Sequence, residues 1–164
     1  MLETKKIALA TLITALYAVG VIVFAPISFL VFQVRIADTL IPLSIVFGTP
    51  AIIGVTLGNI AANIYGGLGI VDVIGGSLAN LLAAYIGWKI ASRNFAGSRF
   101  SATVAQNLIV SGIVGSYLAV LFDVPLEIGF LGIFLGSIIS MNILGYILVL
   151  AIEKSGIRTK PSKG

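Results

Sequence analysis

"TLIPLSIVFGTPAIIGVTLGNIAANIYGGLGIV", Thr39 to Val71, is the stretch whose reading decides the fold. It carries no charge, and as one helix at about 1.5 Å per residue it would be about 50 Å long. That exceeds the roughly 30 Å of a bilayer's hydrocarbon, even with tilt. In its middle stands "FGTPA", Phe47 to Ala51, where Gly48 and Pro50 are residues that end helices and form turns. The run therefore reads as two short helices, about 36–47 and 51–65.

The surrounding sequence sets the solvent. Of 164 residues, 59% are hydrophobic and only 10% charged, with a mean hydropathy of +1.15; soluble chains average about 25% charged. This predicts an all-α integral membrane protein with residues 1–164 as a single membrane domain. Uncharged runs place the other crossings at about 7–31, 72–91, 101–122 and 127–153. A secretory signal at the N-terminus is set aside, because the apolar run continues to Phe32.

Charge placement tests the split. With six helices and both termini cytoplasmic, Lys5, Lys6, Lys89, Arg93, Arg99, Lys154, Arg158, Lys160 and Lys163 all fall inside, as the positive-inside rule expects. A single crossing at Thr39–Val71 would move seven of these residues outside. The expected protein is a six-transmembrane-helix bundle with short second and third helices, multi-pass in the plasma membrane. The net charge of +4 flanks apolar runs and forms no stripe for nucleic acid.

With no Cys and no His, the chain lacks a thiolate, an imidazole and the usual zinc ligands, so neither catalysis nor a metal or other cofactor is expected. No GxxxxGK[ST] phosphate loop is present, so ATP would have to be hydrolysed by another subunit.

Polar residues inside the apolar runs are the candidate site. In "FQVRIADTL", Phe32 to Leu40, Gln33, Arg35 and Asp38 interrupt the hydrocarbon. Arg35 and Asp38 are three apart, so on a helix start they share a face and can pair. Asn59 and Asn63 are four apart and share a helical face. Asn80 lies about two turns from Asp72, which follows the "GGLG" turn and could simply cap a helix start. Buried amides of this kind either join helices or line a polar site. Asp123 and Glu127 flank Pro125 and read as a solvated turn, whereas Asn107 and Asn142 read as structural. Arg35 and the four acids Asp38, Asp72, Asp123 and Glu127 give the outer side a net charge of −3.

Small residues recur every four positions: Ala10, Thr14 and Ala18; Gly54, Gly58 and Ala62; Gly132, Gly136 and Ser140. Such ridges let helices approach closely, either within the bundle or against a partner.

Two segments carry a resemblance: "APISFLVFQVRIADTLIPL" and "GVTLGNIAANIYGGLGIVDVIGGSLANLLAA". They resemble the QueT family of queuosine-precursor transporters, substrate-binding S components of energy-coupling-factor (ECF) importers. The chain departs from the family pattern at Asp38, where glutamate is usual, at Val34, where an aromatic is typical, and at Ala10-x-x-x-Thr14. The resemblance implies a substrate pocket open to the outside and capped by the loop after the first helix. It implies a transmembrane T component and two ATPases as partners, with Ala10, Thr14 and Ala18 as the partner-facing ridge. It also implies a 7-deazaguanine ligand, bound by Gln33, Arg35, Asp38, Asn59, Asn63, Asp72 and Asn80. An S component for another vitamin or aromatic amine, or a small homo-oligomeric channel, remains an alternative reading.

Overall fold

The computed structural model describes residues 2–156, which are helical with short connections and contain no strand. Arg158, Lys160 and Lys163, expected at the cytoplasmic side, lie outside the described residues. Among the described residues, four helices are long and apolar enough to cross a membrane: α1 (Leu2–Val23), α4 (Ile70–Ser92), α5 (Ser98–Leu121) and α6 (Leu126–Lys154). Between the first two lie α2 (Ile36–Phe47) and α3 (Thr49–Gly66). The break between α2 and α3 falls at Gly48, whose φ of 62° is left-handed backbone. Trp88 closes over this position, with its Nε1 3.2 Å from where a Cβ would stand.

The first helix is shorter than its hydropathy suggests. It ends at Val23, and one helical turn, Ala25–Ser28, then leads into non-helical chain up to Arg35. This segment's backbone packs onto α6, while the side chains of Phe24, Ile27, Leu30 and Phe32 are exposed. Cβ atoms on Gly132 and Gly136 would collide with the carbonyls of Val31 and Gln33, so these two glycines form the trough that holds it. Farther along, Gly145 receives Pro42 and the Thr39 carbonyl, within a stretch of α6 (Ile138–Gly145) that is π-helical.

The remaining packing follows the same close-approach logic. Gly54 faces Ala10 and Ile13 of α1, and Gly58 faces Thr14 and Tyr17, which sets α1 and α3 parallel. Gly75 against Tyr117 and Gly87 against Gln106 set α4 and α5 antiparallel. Inside, small residues dominate: Ala62, Ala79, Ala83 and Ala84 have no exposed surface. Large apolar residues such as Ile64, Ile70, Val120 and Ile147 point outward. That inversion of the soluble pattern suits a bundle whose surroundings are lipid and whose interior is close-packed by small side chains.

Candidate functional site

Seven polar residues singled out in the sequence, Gln33, Arg35, Asp38, Asn59, Asn63, Asp72 and Asn80, are all buried, none more than 5% exposed. Their hydrogen bonds define two arms. In the first, the Tyr17 hydroxyl donates to Asp38 Oδ1 at 2.5 Å, and Asn59 Nδ2 donates to the Tyr17 oxygen at 3.1 Å. In the second, the Tyr117 hydroxyl donates to Asp72 Oδ1 at 2.8 Å, and Asn63 Nδ2 donates to the Asp72 carbonyl at 2.8 Å. The arms meet at Gly76. A Cβ there would lie 2.6 Å from Asn63 Nδ2, 2.9 Å from Asn59 Oδ1 and 3.3 Å from the Tyr117 hydroxyl. Only a residue without a side chain lets both amides and the phenol converge on α4.

Arg35 and Asp38 make no direct ion pair, contrary to the spacing argument; among the described residues the ion pair is Arg99–Glu153. The reason is local. Arg35 has extended backbone, φ −86° and ψ 94°, and stands just before the 3₁₀ turns of Ile36–Leu43. Its side chain therefore leaves the helix face. Nη2 donates to the Ser28 carbonyl at 3.3 Å, and the guanidinium stacks 5.3 Å from the Phe29 ring centroid. Burial pulls the Arg35 guanidinium down while the neighbouring acidic groups, Asp38 and Asp72 among them, push it up, and the net direction is above its ordinary value.

Other positions divide cleanly. Asp72 does not cap its helix: no side-chain bond caps α4, and the carboxylate is engaged by Tyr117 instead. Asn80 Nδ2 donates to the Val55 carbonyl at 3.3 Å and ties α4 to α3. Gln33 is buried, with its carbonyl against Gly136. Asn107 and Asn142 bond each other at 2.6 Å, with Thr103 and Ser111 attached, and so join α5 to α6. Asp123 and Glu127 are exposed. Ala10 and Thr14 are committed to α3: Thr14 Oγ1 donates to the Gly54 carbonyl at 3.2 Å, and the Ala10 carbonyl abuts Gly54. Ala18 is half-buried on the same helix.

The sequence reading did not single out Tyr17, Tyr117, Phe29 or Gly76. A tyrosine in an apolar helix was the available signal for the first two, because a buried phenol O–H needs a partner.

Four buried side-chain atoms in this cluster have no hydrogen-bond partner among the described residues: Arg35 Nε, Asn59 Oδ1, Asn63 Oδ1 and Asp72 Oδ2. Buried polar atoms are ordinarily paired, since leaving one unpaired costs about 1–3 kcal/mol. A groove of about 750 Å³ between α4 and α5 lies nearby, but Ile70, Val71, Ile74 and Ile113 line it, and it opens toward the bundle's apolar exterior. The polar cluster, not that groove, has the chemistry to hold a polar solute.

An apolar-coated helical bundle with a buried, partly unpaired polar centre is the build of a multi-pass membrane protein that handles a small polar molecule. The chain belongs to the QueT transporter family, whose sequence profile matches residues 7–154. Membership implies transport of a queuosine precursor. No curated protein and no solved structure matches the chain.

Proposed function

We propose that the chain is the substrate-binding membrane subunit of an ECF-type importer. It captures a 7-deazaguanine queuosine precursor from outside the plasma membrane, and a T component with two ATPases drives uptake. The observation that carries this reading is the set of buried, unpaired atoms on Arg35, Asn59, Asn63 and Asp72 in the interior of a QueT-family chain. Solute is held there by hydrogen bonds that the protein alone leaves unmade. The covering segment 24–35 supports the capped-pocket expectation. It is short of helix, contributes Ser28, Phe29 and Arg35 to the cluster, and rests in the Gly132–Gly136 trough.

Six crossings with both termini cytoplasmic is the proposed topology, with α2 and α3 as the short pair. A T component docking on α1 would meet the exposed side that carries Ala8, Leu12, Ala15, Leu16 and Val19, because Ala10 and Thr14 are occupied by α3. The homo-oligomeric channel loses its main support, since the glycine ridges that favoured it are filled from within the chain.

The test is ligand retention and energy dependence together. Purified protein should retain 7-cyano- or 7-aminomethyl-7-deazaguanine, detected by mass spectrometry. Vesicles should accumulate the base only when the partner subunits and ATP are present. Uptake by this chain alone, without ATPases, would overturn the ECF assignment.

A further inference from the structure

We propose that the site selects its base by the hydrogen-bond donors of the 2-amino-4-oxo edge, read by Asn59, Asn63 and Asp72, with Arg35 taking the carbonyl oxygen. The inference rests on the 7-deazaguanine reading above and adds the atoms that enforce it. Its starting point is the sign of each unpaired atom. Three are acceptors, Asn59 Oδ1, Asn63 Oδ1 and Asp72 Oδ2, and one is a donor, Arg35 Nε.

Neither amide is free to swap its oxygen and nitrogen. Asn63 Nδ2 is fixed because its partner is the Asp72 backbone carbonyl, which can only accept. Asn59 Nδ2 is fixed one step farther out. The Tyr17 hydroxyl spends its proton on Asp38, so its oxygen is left to accept from Asn59. Tyr117 in the same way occupies Asp72 Oδ1 and leaves Oδ2 as the open acceptor. Tyr17, Asp38 and Tyr117 are thus positioning residues that turn three oxygens toward the ligand.

A 7-deazaguanine edge offers the complementary set: the ring N–H, two N–H bonds on the exocyclic amine, and one carbonyl oxygen. A base without the 2-amino group leaves acceptors unpaired, and one with a 2-oxo group sets oxygen against oxygen. Selection of this kind is strong, because the penalty falls on buried groups that water cannot reach.

The experiment uses the full chain in detergent and isothermal titration with three neutral nitriles: 7-cyano-7-deazaguanine, its 2-desamino counterpart and its 2-oxo counterpart. The 2-amino compound should bind at least tenfold more tightly than either of the others. In Asp72→Asn, an amide N–H can replace the open oxygen, so the preference for 2-amino over 2-oxo should fall at least tenfold. Binding of all three nitriles within threefold by the unmodified chain would overturn the inference and leave the substrate class standing. An equal loss for all three in a folded Asp72→Asn protein would assign Asp72 to structure and also overturn it. Binding of none of them by folded wild-type protein would overturn the 7-deazaguanine reading itself. The ligand series on the unmodified chain decides the matter even where the variant does not fold.

Discussion

Replacing Gly76 by alanine separates stability from binding, because the two effects of one methyl group have opposite signs. As a helix change, Gly to Ala is favourable by up to about 1 kcal/mol. As a site change it is a collision. The new Cβ would stand 2.6 Å from Asn63 Nδ2, and reaching an ordinary 3.4 Å contact requires the amide to yield by 0.8 Å. Taken along its bond to the Asp72 carbonyl, that movement stretches 2.8 Å to about 3.6 Å, beyond a hydrogen bond. Asn59 Oδ1, 2.9 Å from the same Cβ, must also turn. Interhelical polar bonds in membrane proteins contribute about 0.6–1.7 kcal/mol each. Two displaced amides therefore cost roughly 1.2–3.4 kcal/mol of binding, which is about an eightfold to three-hundredfold loss. Titration of 7-cyano-7-deazaguanine into the purified variant, alongside thermal unfolding, measures both effects. Gly112→Ala on α5 is the control, because its methyl meets nothing within 4 Å and binding should stay unchanged. Binding by Gly76→Ala within threefold of wild type would refute the convergence of Asn59 and Asn63 on α4 as the seat of recognition.

The absence of native cysteine makes the proposed orientation directly measurable: single cysteines at Asp123 and Glu127 should react with an impermeant thiol reagent in intact cells, and those at Thr49 and Ala96 should not. Labelling of Ala96→Cys from outside would remove the six-crossing topology. Thr14→Leu should lower folded yield, because Thr14 lies between α1 and α3 and bonds the Gly54 carbonyl. Ala15→Leu, on the exposed side, should leave yield and ligand binding intact, and equal yields for the two variants would contradict the α1–α3 contact. The Arg99–Glu153 pair, 3.1 Å apart and about a quarter exposed, should contribute no more than about 1 kcal/mol. Glu153→Gln should accordingly change the midpoint of thermal unfolding only slightly, and a collapse of the fold would show that pair to be far stronger than its exposure allows.

Much of the fold is legible because lipid imposes a simple rule: a long uncharged run must cross, and a charge must mark where it stops. Gly48 and Pro50 announce a turn by their backbone chemistry alone. The end of α1 is not legible in this way. Hydropathy counts apolar side chains, and the segment after Val23 is apolar without being helical: its backbone rests against Gly132 and Gly136 while Phe24, Ile27, Leu30 and Phe32 point outward, as lipid-facing side chains of a helix would. The glycines that receive it show in the sequence as a packing ridge, but nothing local says that the ridge packs against non-helical chain. The same limit explains Arg35 and Asp38. Spacing by three predicts a shared face only on a helix, and Arg35 is one residue outside it.

Site residues divide along a related line. Asn59, Asn63, Asp72 and Arg35 stand out because each is costly in hydrocarbon, so their presence alone asks for an explanation. Tyr17, Tyr117 and Gly76 carry no such cost and pass for packing. Yet they decide which atoms of the costly residues remain open. The four unpaired atoms of the cluster would together forfeit about 4–12 kcal/mol at about 1–3 kcal/mol each, a sum comparable to the roughly 5–15 kcal/mol that stabilises a typical fold. Helix adhesion alone gives no reason for that outlay, since adhesion is served by bonds that are made, as Asn107 and Asn142 show between α5 and α6. The contrast between those two clusters separates the roles. One network closes on itself and joins helices; the other is held open by two tyrosines and a glycine, and a bound base rich in N–H donors is the chemistry that would close it.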